Sequence, residues 1–449
     1  MKRYKKYKDS GIEWIGEIPH QWVVNRLKNM VSEPLKYGAN ESATESNPDN
    51  PRYIRITDFG NDGNLRNDSY KSLPLEKAEG YFLKEGDLLF ARSGATVGKT
   101  FLFKNYDGEA CFAGYLIKAS FDKMEISSTY IDYFTRSNYY ENWKQSVFQQ
   151  ATIQNIGADK YNQLRISIPK SITEQTQIAN YLDRKTQQID VLIEKKESLI
   201  ALLEEEYTAI INQAVTKGLD PNVKMKDSEI DWLVEIPEDW DATKLRFLAS
   251  IIPSNVDKKT KEGEKEVLLC NYTDVYKNDY IRYDPNFMKA SASNAQIEKL
   301  SLKKHDVIVT KDSEDPNDIG VSALVLDNLE GVVCGYHLTV FRNEGQNEFG
   351  RFLFWFLKSK ICSDYFATMA RGITRYALGT NTFKELFVPM PKNEIEFDKI
   401  SNFLENITTT IQTTINKANQ EIDYLKEYKT TLISEVVTGK IDVRQEVLN

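Results

Sequence analysis

KDSGIEWIGEIPHQWVVNRLK at residues 8–28 is written again, with changes, as KDSEIDWLVEIPEDWDATKLR at 226–246. A shift of 218 positions lays Lys8 on Lys226, Trp14 on Trp232, Pro19 on Pro237 and Trp22 on Trp240. The repeat resumes at a shift of 222, with IPKSITEQTQIANYLD (168–183) over MPKNEIEFDKISNFLE (390–405) and AVTKGLD (214–220) over VVTGKID (436–442). So long a period means a duplicated half-molecule and not a short-repeat solenoid. Between these frames the halves diverge. Only GDLLFARSG (86–94) against HDVIVTKDS (305–313), and GYLIKASF (114–121) against GYHLTVFR (335–342), keep a shared pattern. Similar frames around dissimilar middles suggest one scaffold carrying two different specificities.

The second frame opens a long helix in each half. Over 173–216, Leu182, Ile189, Leu203 and Ile210 fall in one seven-residue column, interrupted by Lys196, with Ile178, Leu192 and Leu199 as a companion column. Over 395–437, Leu404, Ile411, Ala418, Leu425 and Leu432 run unbroken. Sustained heptads predict a coiled-coil seam. Ser171 before Glu174, and Asn393 before Glu396, have capping-box spacing, and Gly218 and Gly439 are natural stops. Such helices are rods of about 60 Å. Packing the rods antiparallel against each other is the economical arrangement. Two separate amphipathic helices on two cores is the plainer alternative. Residues 1–172 and 219–392 are then two globular domains, and 173–218 and 393–449 the helical segments. Short β-rich runs (53–59, 87–93, 307–311, 321–326) mix with helical stretches (130–148, 349–369), which predicts an α+β fold.

Composition bounds the function. The 449 residues are too many for one core and carry 58 Lys+Arg against 66 Asp+Glu, a net −8. Residues 1–172 hold 24 basic against 21 acidic groups, and 351–392 hold 7 against 2, so the acid lies mostly elsewhere. Tight unaided binding to DNA is not expected from this balance, although local basic surface counts for more than the total. Cys111, Cys270, Cys334 and Cys362 have no paired spacing and read as reduced core cysteines of a cytoplasmic protein. With only His20, His305 and His337 besides, no metal centre is expected. No run of about eighteen apolar residues predicts a membrane span, and the basic start lacks the apolar core of a secretory signal.

Three loops are candidates for chemistry. SGATVGKT (93–100) resembles a nucleotide-binding loop, but Ser93 stands for the first glycine and an apolar β-run follows in place of a helix. A glycine-flanked loop between strands is a better surface for a DNA groove, with Arg92 suited to guanine and Ser93, Thr96 and Lys99 to phosphates or base edges. A plain hairpin is the bland reading. Its counterpart offers Lys311 and Ser313. The amide-rich stretch 149–164 offers Gln149, Gln150, Thr152 and Gln154, suited to adenine. Its counterpart 370–386 offers Arg371, Thr374, Arg375, Tyr376 and Asn381. Arg55, at a strand end, is a weaker candidate. The tryptophan pairs Trp14/Trp22 and Trp232/Trp240 read as core anchors or as an exposed patch for a partner. No catalytic constellation is evident.

With these features together, the chain resembles a specificity subunit of a Type I restriction-modification system. The resemblance spans the whole length. It rests on the duplicated I-x-W-[IL]-x-x-I-P-x-x-W openings, GDLLFARSGATVGK, and the helix starts carrying Pro169, Glu174, Gln175, Ile178 and Leu182. The second copy keeps Pro391, Ile400 and Leu404 and has Glu396 and Phe397 where the pattern has Glu-Gln. The resemblance implies two target-recognition domains, each reading one half of a bipartite site in double-stranded DNA. It implies that the helices set the spacer and dock two methyltransferase subunits, with Glu174, Gln175, Ile178, Leu182, Glu396, Ile400 and Leu404 as candidate contacts. Those subunits would bind S-adenosylmethionine, and motor-nuclease subunits using ATP and Mg²⁺ would complete a restriction complex. The chain itself would hold no cofactor and catalyse nothing. Two rival readings remain open: an enzyme binding a nucleotide at 93–100, and a protein-assembly scaffold without sequence reading.

Overall fold

LLFA at 88–91 and VIVT at 307–310 contain no polar position to turn toward water before Thr310, and such strands must be covered on both faces. The structure, a computed structural model, describes residues 2–60, 63–94, 96–148, 154–345 and 348–446. In it Leu88 and Phe90 enter one apolar cluster while Leu89 and Ala91 enter another. Val307 and Val309 likewise part from Ile308. The two-residue alternation of a strand thus makes each run the shared wall of two cores.

The chain divides into two compact units. One comprises Met1–Lys196 with Asn419–Asn449, and the other Glu197–Ala418. In the first, an antiparallel sheet has the order Lys36–Tyr37, Leu116–Ala119, Leu88–Ala91, Thr100–Leu102. Leu89 stands opposite both Lys118 and Phe101. Arg52–Ile54 and Ala110–Phe112 form a parallel pair beside it. In the second unit the order is Ser250–Pro253, Leu338–Arg342, Val307–Thr310, Ser322–Val325, Tyr280–Ile281. A four-stranded mixed sheet adds to it, with Leu268 opposite Val332 in parallel register. Each expected helical stretch is two helices. Ser128–Thr135 breaks before Asn138–Phe148, and Phe349–Lys358 breaks before Lys360–Met369, where the Ser359 hydroxyl caps the new turn by accepting from the Cys362 N–H at 3.2 Å. The expected strand at 53–59 is shorter, since Arg52–Ile54 gives way to a 3₁₀ turn at Ile56–Asp58.

The rods are Ile172–Lys217 and Glu394–Val437. Their seam has alternating spacings of three and four. In the first rod Leu182, Thr186 and Ile189 are buried and Ile193, Lys196, Ile200, Leu203, Tyr207 and Ile210 half-buried. In the second, Leu404, Thr408, Ile411, Ile415, Ala418 and Ile422 are buried. The column from Leu182 to Ile210 faces inward, Lys196 included, which is ion-paired with Glu421. The companion column splits: Ile178 is fully buried, whereas Leu192 and Leu199 stand 43% and 42% exposed. Apolar residues occupy both 192–193 and 199–200, and heptad geometry selects Ile193 and Ile200. Within the first unit the rods run antiparallel, since Asp190 meets Lys429 at 2.7 Å while Lys196 meets Glu421. Within the second, Ile211, Ala214 and Val215 share a core with Phe397, Ile400 and Leu404.

Each rod is rooted by a tryptophan. The Trp22 indole N–H donates to Glu174 Oε1 at 2.9 Å, and the Trp240 N–H to Glu396 Oε1 at 3.1 Å. Gly439 and Gly218 end the rods with φ of 70° and 73°. A Cβ on Gly439 would lie 3.2 Å from the Trp22 ring, and one on Gly218 3.4 Å from the Trp240 ring. At Gly439 glycine is required for both the left-handed turn and the close approach, since a Cβ would also stand 2.3 Å from Pro19, whereas at Gly218 the contact is an ordinary one and the turn alone requires it. In each unit one indole clasps the start of one rod and the end of the other. Trp22 and Trp240 are 0% and 1% exposed, whereas Trp14 is 40% exposed and Trp232 half-buried, so core and surface readings each hold for one member of a pair. Asn393 caps its rod, its carboxamide oxygen accepting from the Glu396 N–H at 3.0 Å. Glu174 serves Trp22 and the Tyr4 hydroxyl.

Candidate nucleic-acid interface

The strand Leu88–Ala91 ends at Arg92, and Val307–Thr310 ends at Lys311. These residues occupy the same place. The Arg92 N–H donates to the Tyr115 carbonyl at 3.0 Å, and its carbonyl accepts from Ile156 N–H at 2.8 Å. The Lys311 N–H donates to the His337 carbonyl at 3.0 Å, and its carbonyl accepts from Leu378 N–H at 2.8 Å. Next along, Ser93 bridges to Asn155 and Asp312 to Ala377. In each unit the structure therefore joins the end of the central strand to the polar loop after the helices. Arg92 and Ser93 lie beside exposed Gln154. Lys311 and Ser313 lie beside Arg371, Arg375 and Tyr376.

Both strand-end cations rest on tyrosine rings. The Arg92 guanidinium is 5.0 Å from the Tyr37 centroid and the Lys311 ammonium 4.7 Å from that of Tyr336. Burial lowers the Lys311 pKa from its usual value, against the opposing pull of Asp312. Arg92 Nε is buried with no hydrogen-bond partner. Held cations of this kind lose little freedom on meeting a base edge, which is preorganisation. Asp312 ties the second cluster together, accepting from Arg375 at 2.5 Å and lying 2.8 Å from His337 Nδ1. Glu314 and Asp315 are exposed on the adjoining turn, so this cluster has only a small cationic excess.

The glycine loop is a hairpin. Ala91 N–H and Gly98 N–H close it through Lys99 and Ala91 carbonyls, and it runs into the strand Thr100–Leu102 antiparallel to the first. Without a following helix there is no helix N-terminus to hold phosphates. Thr96 is exposed, and Lys99 Nζ donates to the Phe59 carbonyl at 3.4 Å. Beneath it a cleft of about 890 Å³ is lined by Lys99, Arg136, Lys144, Lys426 and Lys429, among others. Arg136, Lys144 and Lys429 are paired with Asp132, Glu141 and Asp190. Among the described residues no group of three or more His, Cys, Asp or Glu could hold a metal ion. No described helix is long and apolar enough to cross a membrane.

Other candidates are placed differently. Arg55 is committed within the fold, to Asp58 at 3.0 Å and the Ser69 carbonyl at 2.6 Å. Gln149, Gln150 and Thr152 lie outside the described residues. Thr374 and Asn381 are exposed, Asn381 on the short helix Thr380–Glu385. The rod-start residues face their own chain. Ile178, Leu182, Ile400 and Leu404 are fully buried, and Gln175 bonds to Ser127, Glu125 and Pro169. The apolar positions that do face outward on the first rod are Val191, Leu192, Leu199 and Leu202. Sequence reasoning missed Tyr37, Tyr115, Tyr336 and the anchor Asp312. The repeated Gly-Tyr pairs at 114–115 and 335–336 carried the available signal for two of them.

Two units of like topology, each rooting the long helices on a buried tryptophan, define a class, and comparison with known proteins identifies it. The family model described as the Type I restriction modification DNA specificity domain matches residues 19–201 and again 237–424. The chain belongs to that family. It is 21% identical over 362 residues to the Type I restriction enzyme MjaVIII specificity subunit of Methanocaldococcus jannaschii, covering 81% of this chain and 80% of that one. It is 27% identical over 186 residues to the StySPI specificity subunit of Salmonella potsdam, covering 41% and 38%. Its fold is similar to a chain from a solved type I R-M system, with TM-score 0.71 at 12% identity over 94% of this chain and 99% of that one. The HsdS subunit from Thermoanaerobacter tengcongensis gives a TM-score of 0.60 at 13% identity, with 94% and 98% covered.

Proposed function

We propose that this chain is the DNA-reading subunit of a Type I restriction-modification complex. Residues 1–172 and 219–392 each read one half of a bipartite site, and 173–218 and 393–449 set the unread gap. The observation that carries this is the equivalent strand-end cation in each unit, Arg92 and Lys311, held on a tyrosine beside a polar loop. One scaffold presenting different side chains at one place suits two unlike half-sites. The modest charge suits a subunit whose partners supply many phosphate contacts. Methyltransferase subunits dock on the outward side of the rods, where Val191, Leu192, Leu199 and Leu202 present apolar surface. Motor-nuclease subunits join that complex, and the chemistry belongs to the partners.

The test is co-production with the methyltransferase partner and mapping of methyladenine in host DNA. A split motif with two defined halves and a fixed gap is expected. Exchanging residues 1–172 for those of a relative changes one half only, and alteration of both halves would sink the modular reading. Arg92→Ala and Lys311→Ala each relax one base position, in different halves, by about 1–3 kcal/mol of discrimination. Equal weakening on all sequences would instead assign these residues to the phosphate backbone.

A further inference from the structure

Ile373 is 91% exposed, more than any other large apolar side chain among the described residues. Single exposed apolar residues are ordinary, so exposure alone decides nothing. Its mounting is what differs. Arg371 and Ala377 exchange backbone hydrogen bonds of 3.2 and 2.9 Å in a single bridge, closing a loop of Gly372, Ile373, Thr374, Arg375 and Tyr376. Tyr376 and Ala377 pair with Ser313 and Asp312, and the Arg375 guanidinium is fixed to Asp312 at 2.5 Å. Gly372 has φ 151°, and a Cβ there would stand 2.0 Å from the Arg375 carbonyl oxygen. The loop is thus tied at both ends, by the bridge at Arg371 and by the strand Tyr376–Ala377, with Ile373 held outward between them.

We propose that Ile373 is a specificity-determining residue whose side chain packs on the C5 methyl group of a thymine in the second half-site. The inference rests on the DNA-reading function above and deepens it. The tip stands beside Lys311, one of the two strand-end cations, and Arg371, Thr374 and Arg375 flank the isoleucine. A major groove about 12 Å wide admits elements as broad as an α-helix or a two-stranded β-ribbon, and here a loop closed by one bridge carries Ile373. Of the groups that base pairs display there, the thymine methyl is the apolar one, and it is the one an aliphatic side chain packs on. The flanking arginines suit adjacent phosphates or guanine.

The experiment uses the complex of the full chain with its methyltransferase partner, after the native motif has been mapped. Duplexes are made with deoxyuridine in place of each thymine of the second half-site, which removes only the methyl group. Wild-type complex weakens about fourfold at one position, the value of one buried methyl-sized group. Ile373→Ala weakens binding to the native duplex and shows no further loss with deoxyuridine at that position. The first half-site is indifferent to both changes. Deoxyuridine tolerated everywhere, losses that simply add, or a second half-site with no A·T pair would overturn the proposal. So would a variant equally weakened on every duplex, which indicates a wedge between bases or a backbone contact. If wild-type complex yields no split motif at all, the underlying reading fails and this inference falls with it. Because Ile373 touches so little of the fold, the variant's stability is not in question.

Discussion

Trp22→Ala destabilises the first unit by about 3–5 kcal/mol, the range for deleting a large aromatic from a core. The ring is 0% exposed and meets Tyr4 and Tyr130 edge-on at 5.8 and 6.3 Å. Its N–H donates to Glu174, and a hydrogen bond to a charged group contributes about 1.5–3 kcal/mol. Trp22→Phe keeps most of the apolar volume and so isolates that bond. Trp14→Ala, at an exposed site, costs less than about 1 kcal/mol. A chain of two units does not have to unfold in a single transition, so the measurement is hydrogen exchange resolved along the chain. Protection is expected to fall in 2–196 and 419–446 and to hold in 197–418. A uniform loss, or a cost for Trp22 no greater than for Trp14, would refute the clasp as the anchor of that rod root.

Arg342→Met is expected to cost the second unit about 3–5 kcal/mol, because it strands a buried carboxylate. Arg342 and Asp306 are 6% and 2% exposed and share two bonds of 2.8 and 2.6 Å. The guanidinium also serves the carbonyls of Ser301 and Lys299. Its bond to Asp306 is the largest cause holding the Arg342 pKa above its usual value. Asp306→Asn added to Arg342→Met removes the stranded charge, and the double variant is expected to be more stable than Arg342→Met alone. If the two substitutions cost the sum of their separate effects, the pair is not coupled and the account fails. The first unit has a looser version of this device. Asp87 accepts from Ser120 at 2.6 Å and faces Lys118 at 3.8 Å, while its other bond, from Lys84 N–H, matches that of Lys303 to Asp306.

Much of this was legible in the residues because it depends on periodicity. The column from Leu182 to Ile210 and the run from Leu404 to Leu432 follow a repeat that helix geometry imposes. Of the companion column Ile178 is buried, and it is at Leu192 and Leu199 that the neighbouring isoleucines take the seam, because Leu192 and Ile193 are equally apolar and only the partner rod decides between them. Arg55 is the weaker candidate in the sequence, and in the structure its guanidinium pairs with Asp58, three residues on. The joining of Arg92 to Ile156, or Lys311 to Leu378, was beyond reach, since it follows from backbone hydrogen bonds between segments some 60 residues apart. Trp22 and Glu174 were each singled out, but for different reasons. No spacing rule connects an indole to a carboxylate 152 positions away.

The division of the chain between the units has a consequence for its synthesis. Residues 197–418 are contiguous, so the second unit has all its parts as soon as Ala418 is made. The first unit waits for Asn419–Asn449, which supply Leu432, Ile433, Val436 and Val437 to its core. The part made first is therefore completed last. At about 5–20 residues per second the wait after Lys196 is on the order of 10–50 seconds. During that time Trp22 has Glu174 but no Gly439 to stack on, and the apolar root of the first rod is open to water. While it is being made, a chain of this design leaves the surface around Trp22 open, and Leu432, Ile433, Val436 and Val437 are the side chains that close it.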